Sequence, residues 1–346
     1  MKWREKKSNL ETKVRGLGRW FGGRAVILLY HRVSEGSPGP QLLKVTPGHF
    51  QEHLEFLNAR GYEAVRIRDL PGTLKTRKWR DPPVFAVTFD DGYVDNLTTA
   101  APVLERNRVP ATIYIATSGL DRQQPLWWDE LEDVLLRGGK LPDRLVLEMD
   151  GQKREWFFKE EKTASPAADS WNALMPPRTD AERAYLDLAG ILHAQTPAAR
   201  SALLDTLRNW AGVAASTREE SSTLSRESLC RLAANPWIDI GAHTVNHPML
   251  SGLNREDQKY EILESKRTLE SLLNRGINSF AYPYGRVEDY SNESVSIVRR
   301  AGFGAACSNF SGLVHRFTDP FQMPRLCVYD WDRDEFEKRV EQFIRT

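Results

Sequence analysis

Cysteine is scarce: Cys230, Cys307 and Cys327 are the three in 346 residues. An odd number with no CxxC spacing fits neither a disulfide framework nor a zinc ribbon, so ordinary thiols in a reducing compartment are expected. Long apolar runs are also missing. The longest, residues 25–30, falls far short of the ~20 residues that a membrane-spanning helix needs. Neither sign of charge is in excess: 48 Lys and Arg face 47 Asp and Glu, a formal net charge of +1. That balance argues against a chain built to coat nucleic acid. Residues 1–23 are basic, yet they lack the apolar stretch and cleavage site of a secretion signal. A cytoplasmic location is therefore expected, at the inner membrane face if this segment touches lipid. Leu10, Val14, Leu17, Trp20 and Phe21 recur there at near-helical spacing. A surface helix packed on the domain is the simpler expectation, and peripheral contact with anionic lipid the other. No internal repeat or low-complexity tract interrupts the chain.

Hydrophobic residues make up 40% and charged residues 27%, enough for a large core and too apolar for a disordered chain. At about 150 residues per domain, the length allows two domains or one large barrel with insertions. "RAVILLYH" at 24–31 follows Gly22-Gly23 and reads as a strand buried on both faces. The spacing of Phe50, Leu54 and Leu57 predicts a helix over 47–60, with Thr46 as N-cap, Pro47 at the first position and Gly61 at the C-terminal end. Strands at 62–67, 84–91 and 111–116, with a helix over 96–108, give the alternation of an α/β fold. That rhythm stops near Trp127. A hairpin turning at Asp150-Gly151 and helical residues over 180–210 mark 129–225 as an insertion. The alternation resumes at 237–243. A helix over 255–274, "SFAYPYG", a helix ending at Gly302, "GAACS" and a last helix over 332–344 follow.

Three motifs carry chemistry. Thr88-Phe89-Asp90-Asp91-Gly92 sets two carboxylates at the end of an apolar strand, where the ends of parallel strands open into a site. A strand-to-helix turn with one capping Asp is the structural alternative. His243-Thr244-Val245-Asn246-His247-Pro248 follows another apolar strand, and its two histidines share a face if the segment turns helically. Two imidazoles and one carboxylate supply three metal ligands, leaving a spare carboxylate and an open coordination position. Ala281-Tyr282-Pro283-Tyr284-Gly285 is a rigid turn that can present a backbone N–H and a ring.

"TFDDG", "HTVNHP" and "YPYG", in that order, resemble the polysaccharide deacetylases with a NodB-type domain, carbohydrate esterase family 4. "LLYHRV" and "VPATIYIAT" look like the subgroup that includes poly-N-acetylglucosamine deacetylases. The resemblance covers about 24–128 and 227–330. It implies a distorted (β/α) barrel, a deacetylase domain over 24–346 with the insertion inside it, and an acetylated saccharide as substrate. It also implies a bound divalent metal: zinc, with cobalt or nickel as alternatives. Residue by residue, Asp90 matches the general base, and Asp91, His243 and His247 match the metal ligands. The backbone N–H of Tyr284 matches an oxyanion donor. His315, in Leu313-Val314-His315, matches the spelling of the motif that holds the general acid. The family often places an arginine two residues before the motif proline to orient the base. This chain has Ala281 there, and Arg325 in "MPRL" is the candidate to replace it from another strand, counted with His31 and Trp128 among residues lining the substrate. Trp127-Trp128 is read as a sugar-stacking wall or as core packing.

Two other functions compete. A saccharide-binding protein whose chemistry has lapsed on the same fold would suit the missing arginine at 281. Retention of a buried carboxylate pair argues against it, because such a pair is costly to keep. A metal-dependent phosphoesterase would need a Gly-rich phosphate loop and more carboxylates. Deletion of 140–225 is expected to alter substrate range more than metal binding.

Overall fold

Six apolar residues in a row make β1 (Arg24–Tyr30) a strand with almost no solvent on either face. The computed structural model describes residues 24–78, 81–122, 125–137, 139–149, 151–159, 171–214 and 222–345. Residues 1–23, and with them the proposed basic helix, lie outside the described residues, as does Asp150 of the expected hairpin turn. The strands in chain order are β1, β2 (Arg32–Val33), β3 (Lys44–Val45), β4 (Glu63–Ala64), β5 (Val84–Phe89), β6 (Ala111–Ile115), β7 (Arg144–Met149), β8 (Gln152–Phe157), β9 (Ile238–Ala242), β10 (Ser279–Ala281), β11 (Ala305–Cys307), β12 (Val314–His315) and β13 (Leu326–Cys327).

The main sheet runs β11-β10-β9-β6-β5-β1-β12, with β4 beside β5 and β13 beside β1. Every pairing in it is parallel except β1 with β12. The sheet curls into a distorted half-barrel. Met323 bridges to Cys307 at the β11 edge, and three residues later Leu326 pairs with Leu28 of β1. The segment 323–327 thus spans the gap between the two edges. Strand alternation sorts the core into two layers. Val26, Leu28, Phe85, Val87 and Phe89 pack under the outer helices. Ala25, Ile27, Val84 and Ala86 face the barrel interior with Tyr114 and Cys307. Thr88 and Asp90 continue that inner parity.

The helix expected over 47–60 is Pro47–Ala59, with the Thr46 hydroxyl accepting from the His49 N–H. The expected strand at 62–67 shrinks to the two residues of β4, Glu63 and Ala64, which pair with Val84 and Phe85 of β5. β7 and β8 form the hairpin, and helices Asp180–Ala194 and Pro197–Ala211 follow it. Together with the segment around Leu131 and Val134, these elements enclose a core of their own, in which Leu145, Tyr185, Leu188 and Leu207 are buried.

One buried histidine makes stability depend on pH. His53 donates from Nε2 to the carbonyl of Trp331 at 2.7 Å, accepts from the Tyr30 hydroxyl at 3.1 Å, and stacks on Phe336. Burial lowers its pKa to about 4. An unfolded chain takes up that proton near the ordinary 6.5, so the stabilisation is complete above 6.5 and is lost as pH falls toward 4. The loss is on the order of 3 kcal/mol. Denaturation midpoints at pH 7 and pH 4 should therefore diverge more in the wild type than in His53→Gln. Equal pH dependence in the two proteins would contradict this.

Candidate active site

The C-terminal ends of β1, β5, β6, β9, β10 and β11 open on one face, where the strand ends of a parallel sheet gather a site. Asp90 is the first residue beyond β5, and its N–H donates to Tyr30 at 3.1 Å. Asp91 then adopts a left-handed backbone (φ 75°), followed by Gly92 at φ 78°. The chain reverses in two residues, and both carboxylates end up on the same side instead of on opposite faces. A Cβ at Gly92 would lie 3.0 Å from the Ile115 side chain, so this turn needs glycine for space as well as for φ.

His243 leaves β9 with its N–H on the Ile115 carbonyl at 3.0 Å and its Nδ1 on the Ala281 carbonyl at 2.7 Å. Donation from Nδ1 fixes the tautomer and leaves Nε2 free to act as a ligand. His243 and His247 do not share a helical face. Thr244 (φ 65°) and His247 (φ 51°) are both left-handed, and that irregular loop folds the two rings to a centroid distance of 4.8 Å. Nε2 of His247 lies 3.3 Å and Nε2 of His243 3.6 Å from Oδ1 of Asp91. All three side chains are buried, and one ligand atom from each lies within 4.8 Å of the others. Asp91 Oδ1 is buried without a hydrogen-bond donor. Such an atom is costly unless something positive meets it. That oxygen and the two imidazole nitrogens beside it suit a zinc-like divalent ion with a coordination position left open.

Asp90 stands beside this cluster, with Oδ2 3.9 Å from His243 Nε2. Arg325 grips it with two parallel hydrogen bonds of 2.7 Å, one to each carboxylate oxygen. The same guanidinium donates to the Ser308 carbonyl and the Thr88 hydroxyl. Burial alone would raise the Asp90 pKa, but Arg325 and then His243 overcome it and hold the carboxyl below its usual range. Burial lowers the His247 pKa well below normal, with His243 and Arg200 adding to the effect, which keeps its imidazole neutral. For His243, burial is outweighed by Asp90 and Asp91, and the pKa is raised. Aromatic rings wall the cluster. Tyr284, left-handed at φ 59°, sets its ring 4.6 Å from His247 and 4.1 Å from His193.

The sequence model described as polysaccharide deacetylase matches residues 77–141 and 207–306, which include Asp90, Asp91, His243, His247 and Tyr284. This similarity to the polysaccharide deacetylase family spans just under half of the chain and takes in the whole candidate metal cluster. A Bacillus subtilis protein, YxkH, whose name places it provisionally among the polysaccharide deacetylases, is 28% identical over 127 residues, 36% of this chain and 44% of that one. The matched stretch thus spans less than half the length of that relative. The Streptococcus pyogenes deacetylase PplD, solved with acetate, superposes with a TM-score of 0.57 at 17% identity, covering 92% of this chain and 98% of that one. IcaB from Ammonifex degensii superposes with a TM-score of 0.55 at 16% identity, covering 93% and 97%. These likenesses place the fold among the deacetylases of the NodB type.

Within this fold the expected site residues fare unequally. Asp90, Asp91, His243, His247 and Tyr284 converge, and half-buried His31 joins them from the end of β1. Burial lowers its pKa, against the opposing pull of Asp91 and Asp90. His315 does not join them. It pairs with Arg24, at the opposite end of β1, and is exposed. Six residue steps along a strand put it about 20 Å from the site. The Leu-x-His spelling carries no topology, and His315 is not the general acid. Arg325 is buried against Asp90 and positions that carboxylate instead of meeting substrate. Trp128 is 6% exposed and no stacking wall. Its ring packs 5.0 Å from His247, and its Nε1 donates to the Tyr93 hydroxyl, which donates to Asp129. Trp127 donates to the Tyr284 hydroxyl at 3.0 Å and lines a cavity of about 160 Å³ with Arg200, Leu204, Arg208 and His247. Sequence reasoning missed Glu261, which accepts from the N–H groups of Val245 and Asn246 at 2.9 and 2.8 Å and braces the His loop from beneath. Its one signal was a carboxylate on the buried stripe of the helix Arg255–Leu273.

Proposed function

We propose that the chain removes acetyl groups, N-acetyl before O-acetyl, from a saccharide by metal-assisted hydrolysis. The observation that carries this reading is the juxtaposition of an unpaired Asp91 oxygen and two imidazole nitrogens with a second, arginine-held carboxylate. Asp91, His243 and His247 would hold the metal. A divalent ion there, zinc in our reading, supplies Lewis acidity toward the acetyl carbonyl and makes an attacking water more acidic. Asp90 takes the water proton on a carboxylate oxygen. Arg325 keeps that carboxylate ionised and aimed. The backbone N–H of Tyr284 meets the developing oxyanion. As the C–N bond breaks, the proton taken up by Asp90 passes by way of the His31 imidazole to the leaving nitrogen, which restores the Asp90 carboxylate, and acetate departs. The clasped base speaks against a lapsed binding protein, since a saccharide lectin has no use for a buried, oriented carboxylate beside a ligand cluster.

Acetate release from N-acetylglucosamine oligomers tests this. The protein should lose activity on chelation and regain it at one equivalent of zinc. His31→Gln should still bind zinc and release acetate about a hundred-fold more slowly, the usual scale for a lost acid. Unchanged turnover in that variant would remove His31 from the mechanism. Activity indifferent to chelation would remove the metal.

A further inference from the structure

The loop that presents His247 is held from two sides, and one side is the insertion. Two left-handed non-glycine residues within four positions are a strained arrangement that persists only where surrounding bonds over-determine it. Glu261 takes two amide N–H groups from below, and the Thr244 hydroxyl takes the His247 N–H at 3.1 Å. The carbonyl of His247 is met from above by Arg200 Nη1 at 3.2 Å. Arg200 lies in the first turn of the insertion helix Pro197–Ala211 and is 4% exposed. Its Nε donates to Leu192 at 2.9 Å, and its Nη2 reaches the carbonyls of Gln195 and His193 at 3.3 and 3.5 Å. Those carbonyls close the preceding helix, Asp180–Ala194, where partial negative charge and unpaired acceptors collect. Among the described residues no carboxylate lies within ion-pair distance of Arg200. Among the described residues its hydrogen bonds all go to main-chain oxygens of two separate substructures, with the Trp127 ring 5.3 Å from the guanidinium carbon, and a buried cation so held acts as a clip between them.

We propose that Arg200 is a positioning residue for His247, through which the insertion completes the metal-binding loop. This role rests on the metal-site reading above, and it departs from the expectation that deleting 140–225 alters substrate range more than metal binding. It is tested by zinc affinity, read by competition with a chromogenic chelator, alongside the melting temperature of the metal-free protein. Arg200→Met should bind zinc about 10- to 100-fold more weakly, the scale of a lost outer-shell contact. Arg200→Lys keeps the charge but cannot span both carbonyl sets, and should fall between Met and wild type. Leu188→Ala, which opens the insertion core away from the loop, lowers the melting temperature and should leave zinc affinity close to wild type. Wild-type affinity in Arg200→Met would overturn the proposal. So would a Leu188→Ala protein that loses as much affinity as Arg200→Met. If the wild type itself binds no divalent ion, the metal-site reading fails, and this role with it.

Discussion

Asp90→Asn is expected to release acetate about a hundred- to ten-thousand-fold more slowly than wild type while still binding one zinc ion. The amide matches the carboxylate in shape but cannot accept the proton of an attacking water. The ligand atoms, Asp91 Oδ1 and the two histidine Nε2 atoms, are untouched, so metal binding should survive. Turnover and zinc affinity therefore separate in this variant. In a ligand variant such as His247→Ala they fall together. Asp90→Asn activity within tenfold of wild type would show that another group takes the proton.

Arg325→Met should be the most destabilising single change in the site. Side-chain exposure is 1% for Arg325 and 6% for Asp90, and two 2.7 Å bonds join them. Removing one member of such a pair strands the other charge in the core, at a cost of about 3–5 kcal/mol. The Asp90 pKa, now without its main depressing neighbour, should rise. Deacetylation should fall with it, because the base is neither aimed nor reliably ionised near neutral pH. Asp90→Asn with Arg325→Met removes both charges and should recover much of the stability while remaining inactive. Urea denaturation of the three variants gives the energies. If the double variant is no more stable than either single one, the pair is not the coupled unit described here.

The arginine also shows what sequence can and cannot carry. Asp90-Asp91 and His243-x-x-x-His247 were legible because strand-end carboxylates and paired histidines are local features. Their convergence follows from parallel topology. The order of the apolar strands was legible for the same reason, in their branched residues and intervening helices. How the two histidines meet was not, since helical spacing was expected and left-handed turns at Thr244 and His247 do the work. Arg325 stood out only as a candidate, because its reach to Asp90 depends on the segment 323–327 closing the curled sheet across β1, 235 residues from its partner. His315 was misplaced for the mirror-image reason: its motif is local, and β12 runs antiparallel to β1 at the far end. Arg200 and Glu261 bond mostly to main-chain groups, and no spacing rule announces such contacts.

The most direct test of the central claim is to incubate the zinc-loaded protein with a panel of acetylated saccharide oligomers and quantify acetate and new primary amine in the same samples. The account predicts equal amounts of the two from an N-acetylated oligomer, with both abolished by chelation and by Asp90→Asn. A protein that binds one zinc per chain at Asp91, His243 and His247 yet releases neither product from any oligomer in the panel would contradict it.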